Sequence, residues 1–147
     1  MFKIIVVLLS YLISFVAQSQ NVTDTSGQNG QGRVIARVQN IKNNTGSVYF
    51  AIYDSQENFN KRIAFDSKQA LVMGNNVEVV FENLSQKSYA IVCFHDANDN
   101  GRMDFDESGM PLEDYGTSAQ NRSFGPPLYR DAQFEVKDKE LTFEIIF

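Results

Sequence analysis

The stretch KSYAIVCFHDANDNGRMDFDE, Lys87 to Glu107, sets two patterns end to end. In its first half Tyr89, Ile91 and Cys93 alternate with Ala90, Val92 and Phe94, so an extended chain there is apolar on both faces. Such a segment needs cover on two sides, as a central strand has. After His95 the composition turns to Asp, Asn and Gly, residues that end strands and build turns. A strand is therefore expected to feed directly into a tight polar loop.

Outward from this stretch the period of two recurs. RVIARVQ (33–39) sets Val34, Ala36 and Val38 against Arg37 and Gln39, and SVYFAIYD (47–54) is aromatic and β-branched. Asn43-Asn44-Thr45-Gly46 supplies turn chemistry between them, because Asn and Gly tolerate positive φ. NVEVVFENL (76–84) alternates Val77, Val79 and Phe81 with Glu78 and Glu82. QALVM (69–73) predicts a short edge strand ending at Gly74, and SQENFNKRIAF (55–65) a helical turn or a loop. AQFEVKDKELTFEIIF (132–147) predicts two strands around an Asp138-Lys139 turn. Between Ser108 and Asp131 lie all three prolines and no period, and structureless loops of that length are uncommon unless they do something. About seven short strands with no long helical period predict an all-β fold. The expected architecture is a single antiparallel β-sandwich, immunoglobulin-like or transthyretin-like, with one long Gly/Pro-rich loop. That loop is expected to cover the second apolar face of 87–95 through Phe124 or Leu128.

Numbered from Asp96, the polar loop has Asp96, Asn98 and Asn100 at positions one, three and five and Gly101 at six. Arg102 follows at seven, where the main-chain carbonyl is the ligand, with Asp104 at nine and Glu107 at twelve. This is the D-x-[DN]-x-[DN]-G-x₅-E pattern of a calcium loop. Calcium is a hard cation that takes six to eight oxygens at about 2.3–2.6 Å, and a glycine at position six permits the sharp turn that gathers them. The expected metal ligands are Asp96, Asn98, Asn100, Arg102, Asp104 and Glu107. Magnesium fits less well because it demands octahedral geometry and keeps its waters. Zinc would require His or Cys ligands, and neither Cys93 nor His95 has a partner at metal spacing. The bland reading is that Asp, Asn and Gly close local turns without an ion. Gly109 and Pro111 follow the loop and a strand precedes it, so it is not a helix-bracketed EF-hand and no sensor-like opening is expected.

The chain opens MFKIIVVLLSYLISFVAQSQ. Lys3 and an apolar run of about fourteen residues are too short for a bilayer span, which needs roughly twenty, but fit a secretory leader. Cleavage after Ser19 is expected, with Ser14 to Ala17 a second option. Residues 20–32, QNVTDTSGQNGQG, form a polar linker, and 33–147 one domain. The net charge of −5 becomes −6 once Lys3 leaves with the leader. With no Lys/Arg run, nucleic acid and anionic membranes are excluded as expected partners. The single cysteine, Cys93, rules out an internal disulfide. Export without disulfides suggests a periplasm or cell surface.

YAIVCFHDANDNGRMDFDESGMPLEDYG, followed by GPPLYRDAQF, resembles the exported bacterial proteins filed as domain of unknown function 2141. The shared elements fall on His95-Asp96, on Asn98 to Gly101, on Gly109, Pro111, Glu113, Tyr115 and Gly116, and on Gly125-Pro126-Pro127. The resemblance covers most of the chain after Arg33 and implies a small β-sandwich with no established activity. Two departures stand out. The family's twelfth loop position is often not acidic, so Glu107 makes this chain look more calcium-competent. TSAQN (117–121) replaces the Ser-Asn-Asn expected after Tyr-Gly.

Two side chains invite catalytic readings. His95, the sole histidine, is either a general base beside Asp96 or a strand-end residue whose ring holds the loop open. Cys93, mid-strand, reads as packing. Glu113, Asp114 and Tyr115, with Phe124 and Tyr129, either rim a sugar site or serve as loop solvation and core anchors. Asn83-Leu84-Ser85 matches a glycosylation triplet that means little in a bacterial chain. The expected function is an exported, non-enzymatic, monomeric β-sandwich at the cell envelope, binding one structural calcium ion. The rivals are a calcium-dependent carbohydrate- or protein-binding module using the 108–130 loop, and a hydrolase using His95 and a loop carboxylate.

Overall fold

The computed structural model describes residues 31–119, 125–137 and 139–147. The expected leader, and the linker up to Gly30, lie outside them. Gly32, placed in the linker by sequence, already opens the first strand.

Among the described residues, eight strands form two sheets. The smaller contains β1 (Gly32–Gln39), β4 (Asn76–Leu84) and β8 (Glu140–Ile146) in the order β4-β1-β8. The larger runs β3-β2-β5-β6, from β3 (Asp66–Leu71) through β2 (Ser47–Tyr53) and β5 (Ser88–Asp96) to β6 (Tyr115–Thr117). The short β7 (Gln133–Glu135) shares the β5 edge with β6. Between those two partners, Ser118 caps the free β5 backbone: its Oγ accepts from Ile91 N at 2.9 Å and its N–H donates to Ile91 O at 3.0 Å.

The all-β sandwich and the strand at 76–84 stand as the pattern predicts. The edge strand is displaced, covering Asp66–Leu71 instead of 69–73. The C-terminal strands are not neighbours. β7 pairs with β5 in one sheet, while β8 runs parallel to β1 in the other. Alternation alone cannot distinguish a hairpin from a crossing between sheets, and Asp138 of the expected turn lies outside the described residues.

Alternate residues of each strand meet between the sheets. Val34, Ala36 and Val38 pack in one core with Val48, Phe50 and Ile52 of β2 and Tyr89, Ile91 and Cys93 of β5. Tyr89, Phe50 and Phe81 are the largest fully buried side chains, each contributing on the order of 2–3 kcal/mol by leaving water.

The outer faces of the two sheets differ. On the smaller, Arg37 lies between Glu78 (Nε–Oε2 2.9 Å) and Glu144 (Nη1–Oε1 2.7 Å), and Arg33 pairs with Glu82 and Glu140. On the larger, register sets Tyr49 beside Phe94, Ala51 beside Val92 and Tyr53 beside Ala90. The Tyr49 and Phe94 rings stack at 5.4 Å.

Cover for this second face comes from two short helices, α1 (Gln56–Lys61) and α2 (Tyr129–Ala132). Ser55 starts α1 by accepting from Asn58 N, and Arg62 ends it in the left-handed conformation. Tyr129 and Ala132 bury against Ala90, with Phe59 and Tyr53 around them. Leu128, by contrast, is 44% exposed, and Phe124 lies outside the described residues. The expected anchor therefore moves one residue along, because the helical turn at 129 rotates Tyr129 inward. Tyr129→Ala should lower stability by about 2 kcal/mol. Leu128→Asp should leave it within about 0.5 kcal/mol, as surface substitutions do. Urea denaturation of the pair checks this, and the reverse order would refute the assignment.

Candidate functional site: the strand-end loop and the groove beside it

The end of β5 is held from the side. Ser47 lies opposite Asp96 in the ladder, and Gly46 before it has φ +70°. A Cβ on Gly46 would sit 1.9 Å from the Asp96 carbonyl oxygen, so only glycine allows this approach. His95 is buried, stacks on Phe147, and has Nε2 2.7 Å from the Thr45 carbonyl. A carbonyl can only accept, so Nε2 carries the proton. The ring fastens the strand to the turn before β2, where the second of its two readings has it holding the 96–107 loop open.

From Asp96 the chain winds tightly through Asp99 and Gly101, both at positive φ. Asp96 is fully buried and its carboxylate accepts from two loop amides, Asn100 N at 3.0 Å and Gly101 N at 2.7 Å. Asn98 Oδ1 accepts from Asn100 N and Asn100 Oδ1 from Arg102 N. The amides of Asn98 and Asn100 both donate to Asp104 Oδ2, at 2.8 and 2.7 Å. Donation from Asn98 foremost, then from Asn100, together with the Arg102 charge, holds the Asp104 carboxyl below its ordinary range. Five of the six expected ligand residues thus share one compact turn: Asp96, Asn98, Asn100, Arg102 and Asp104.

Glu107 is not among them. Asp106 Oδ1 accepts from Ser108 N, Ser108 Oγ and Met110 N, which folds 106–110 into a turn of its own. Phe105 bridges Pro111, and Leu112 N donates to Asp104 O at 2.9 Å. Glu107 is carried out on this small projection, exposed and without a hydrogen bond or ion pair among the described residues. The returning chain brings Glu113 back to the loop, where Oε1 accepts from Ala97 N (3.1 Å) and Oε2 from Asp104 N (3.2 Å). Spacing missed this clamp, because it depends on where the 106–110 turn sends the chain. Among the described residues, no three His, Cys, Asp or Glu side chains lie together as a metal cluster.

The other side of the loop faces a cleft of about 690 Å³ over the larger sheet. Val92 and Phe94 lie at its floor. Tyr53 and Phe59 line one wall, with Met103, Phe105 and Met110 on the loop side. Tyr115, Pro126 and Pro127 contribute from the long segment between 108 and 131. Glu113 and Asp114 do not line it: Glu113 clamps the loop, and Asp114 accepts from Lys42 Nζ at 2.9 Å. Of the residues considered for a sugar rim, Tyr115 alone lines the cleft among the described residues. Burial pushes the Cys93 thiol pKa well up, consistent with packing.

Fold and loop together make this a small two-sheet β-sandwich domain, distinguished by an Asp/Asn/Gly turn at the end of a central strand. The sequence model of domain of unknown function 2141, an uncharacterized protein conserved in bacteria, matches residues 36–144. The chain belongs to that bacterial family, as its His95-Asp96, Gly109–Gly116 and Gly125–Pro127 elements suggested. No protein of curated function matches it.

Proposed function

We propose that the protein is an exported, non-catalytic binding module of the cell envelope in which one calcium ion stiffens the 96–104 loop, and with it one wall of the groove. The observation that carries this reading is the double duty of that loop. The side-chain amides of Asn98 and Asn100 both turn onto the Asp104 carboxylate, while Arg102, Met103 and Phe105 of the same run line the cleft.

The donor set suits a hard cation. Asp96 and Asp104 supply charge, and each amide oxygen of Asn98 and Asn100 keeps a second lone pair beyond its backbone bond. With Glu107 pointed away, Glu113, whose oxygens accept from Ala97 N and Asp104 N, is the carboxylate that the returning chain brings against the loop. Asp96, Asn98, Asn100 and Asp104 would hold the ion, which would supply a fixed positive centre beside the Asp104 carboxylate. The histidine supports binding over hydrolysis, because the buried His95 ring is committed to Thr45 and a general base must reach its substrate. Among the described residues no helix is long and apolar enough to cross a membrane.

Calorimetric titration of calcium into chelator-treated protein tests the ion. A Kd near ~10⁻⁴ M would add roughly 1.4 kcal/mol of stability at ~1 mM calcium. Absence of binding heat, with identical melting in EDTA, would remove the ion from this reading.

A further inference from the structure

We propose that the groove receives a small amphipathic anion, a flat apolar or aromatic body carrying one acidic group, with Arg62 and Arg102 taking the charge. The proposal rests on the reading of the cleft as a ligand site and specifies what enters it.

The charge distribution is the argument. The chain carries 18 acidic against 13 basic residues, yet among the described residues the charged side chains lining the cleft are Arg62 and Arg102, with no Asp or Glu. By contrast, Arg33 and Arg37 each lie against two glutamates. The Arg62 side chain makes no hydrogen bond or ion pair among the described residues, while its backbone N–H donates to the Asn58 and Phe59 carbonyls at the end of α1. Its field reaches the cleft wall, where it opposes the rise that burial imposes on the Tyr53 hydroxyl pKa. Arg102 is 78% exposed and lies 3.5 Å from Asp104, a long contact that leaves most of its donors open.

The body of the ligand follows from the walls. Tyr53, Phe59, Phe94, Phe105 and Tyr115 offer ring faces and edges, and proline and methionine complete an apolar surface. The volume falls in the range of small-molecule sites, about 300–1,000 Å³. An aromatic cleft whose described lining residues include no carboxylate suits a neutral sugar less well than an anion, whose acidic group a planar guanidinium can grip with two parallel bonds.

A matched pair of fluorescent probes tests this: 8-anilino-1-naphthalenesulfonate and its uncharged analogue N-phenyl-1-naphthylamine. The sulfonate should bind the folded protein saturably at one site. Arg62→Gln should weaken it about tenfold, with Arg102→Gln smaller in effect, while the neutral probe is unmoved by either. Met110→Glu, at a 63% exposed position that should not disturb folding, should expel the sulfonate by repulsion. Near-UV circular dichroism checks that each variant is folded. Equal binding of both probes with indifference to Arg62→Gln would make the cleft merely apolar and overturn the proposal. So would no saturable binding to folded protein, or a concentration-dependent dimer that shuts the probe out. Titrations in calcium and in EDTA separate the two readings, since the sulfonate can bind where the ion gives no heat, and the reverse.

Discussion

Gly46→Ala should lower stability by about 4 kcal/mol. Two penalties combine. A Cβ residue at φ +70° costs about 1–2 kcal/mol through its clash with the local backbone. The added carbon would also lie 1.9 Å from the Asp96 oxygen and 2.8 Å from Ala97 Cα, both main-chain atoms that cannot rotate aside. Forcing that contact apart adds about 1–3 kcal/mol and pulls the Ser47–Asp96 pairing open, where the loop begins. Gly101→Ala is the matched control, with φ +79° but no atom within 4 Å of the new carbon. It should pay the conformational term alone, about 1–2 kcal/mol. Urea denaturation measures both, and equal losses would mean that the strand end is free to move.

Asp96→Ala should melt about 10 °C below the parent protein and take up no calcium. The buried carboxylate is the acceptor for the Asn100 and Gly101 amides. Removing it strands two donors, at about 1–3 kcal/mol each where water does not replace it, so about 3 kcal/mol is expected in all. Two glutamate variants then separate the carboxylates that compete to complete the site. Glu113→Gln keeps an acceptor for one of Ala97 N and Asp104 N and should weaken calcium about tenfold or more. Glu107→Gln, out on the 106–110 turn, should leave both affinity and melting unchanged. Calorimetry on the pair decides: loss of affinity on Glu107→Gln would restore the spacing-based assignment.

The strands and the loop could be found by reading along the chain, since both are written in near neighbours. Alternation marked β1, β2, β4 and β5, and the Asp/Asn/Gly run after His95 marked a tight polar loop at the end of β5. By sequence Leu128 is the expected cover for the sheet and Tyr129 stands between a sugar rim and a core anchor, because one turn of helix, invisible in so short a segment, decides which of them points inward. Glu107 misled for a related reason. Its place at position twelve assumes the chain keeps winding, whereas Asp106 captures Ser108 and Met110 and sends it outward.

What the sequence alone determined, then, is an all-β chain with a polar turn after a doubly apolar strand, because side-chain alternation and turn chemistry act over a few residues. Tertiary structure decided the rest: that β8 joins β1 in parallel, that Glu113 closes over the loop, and that Arg62 and Arg102 share a cleft. These partners stand far apart along the chain or beyond an intervening turn. Their meeting depends on how two sheets pack and where a projection returns, which local spacing does not encode.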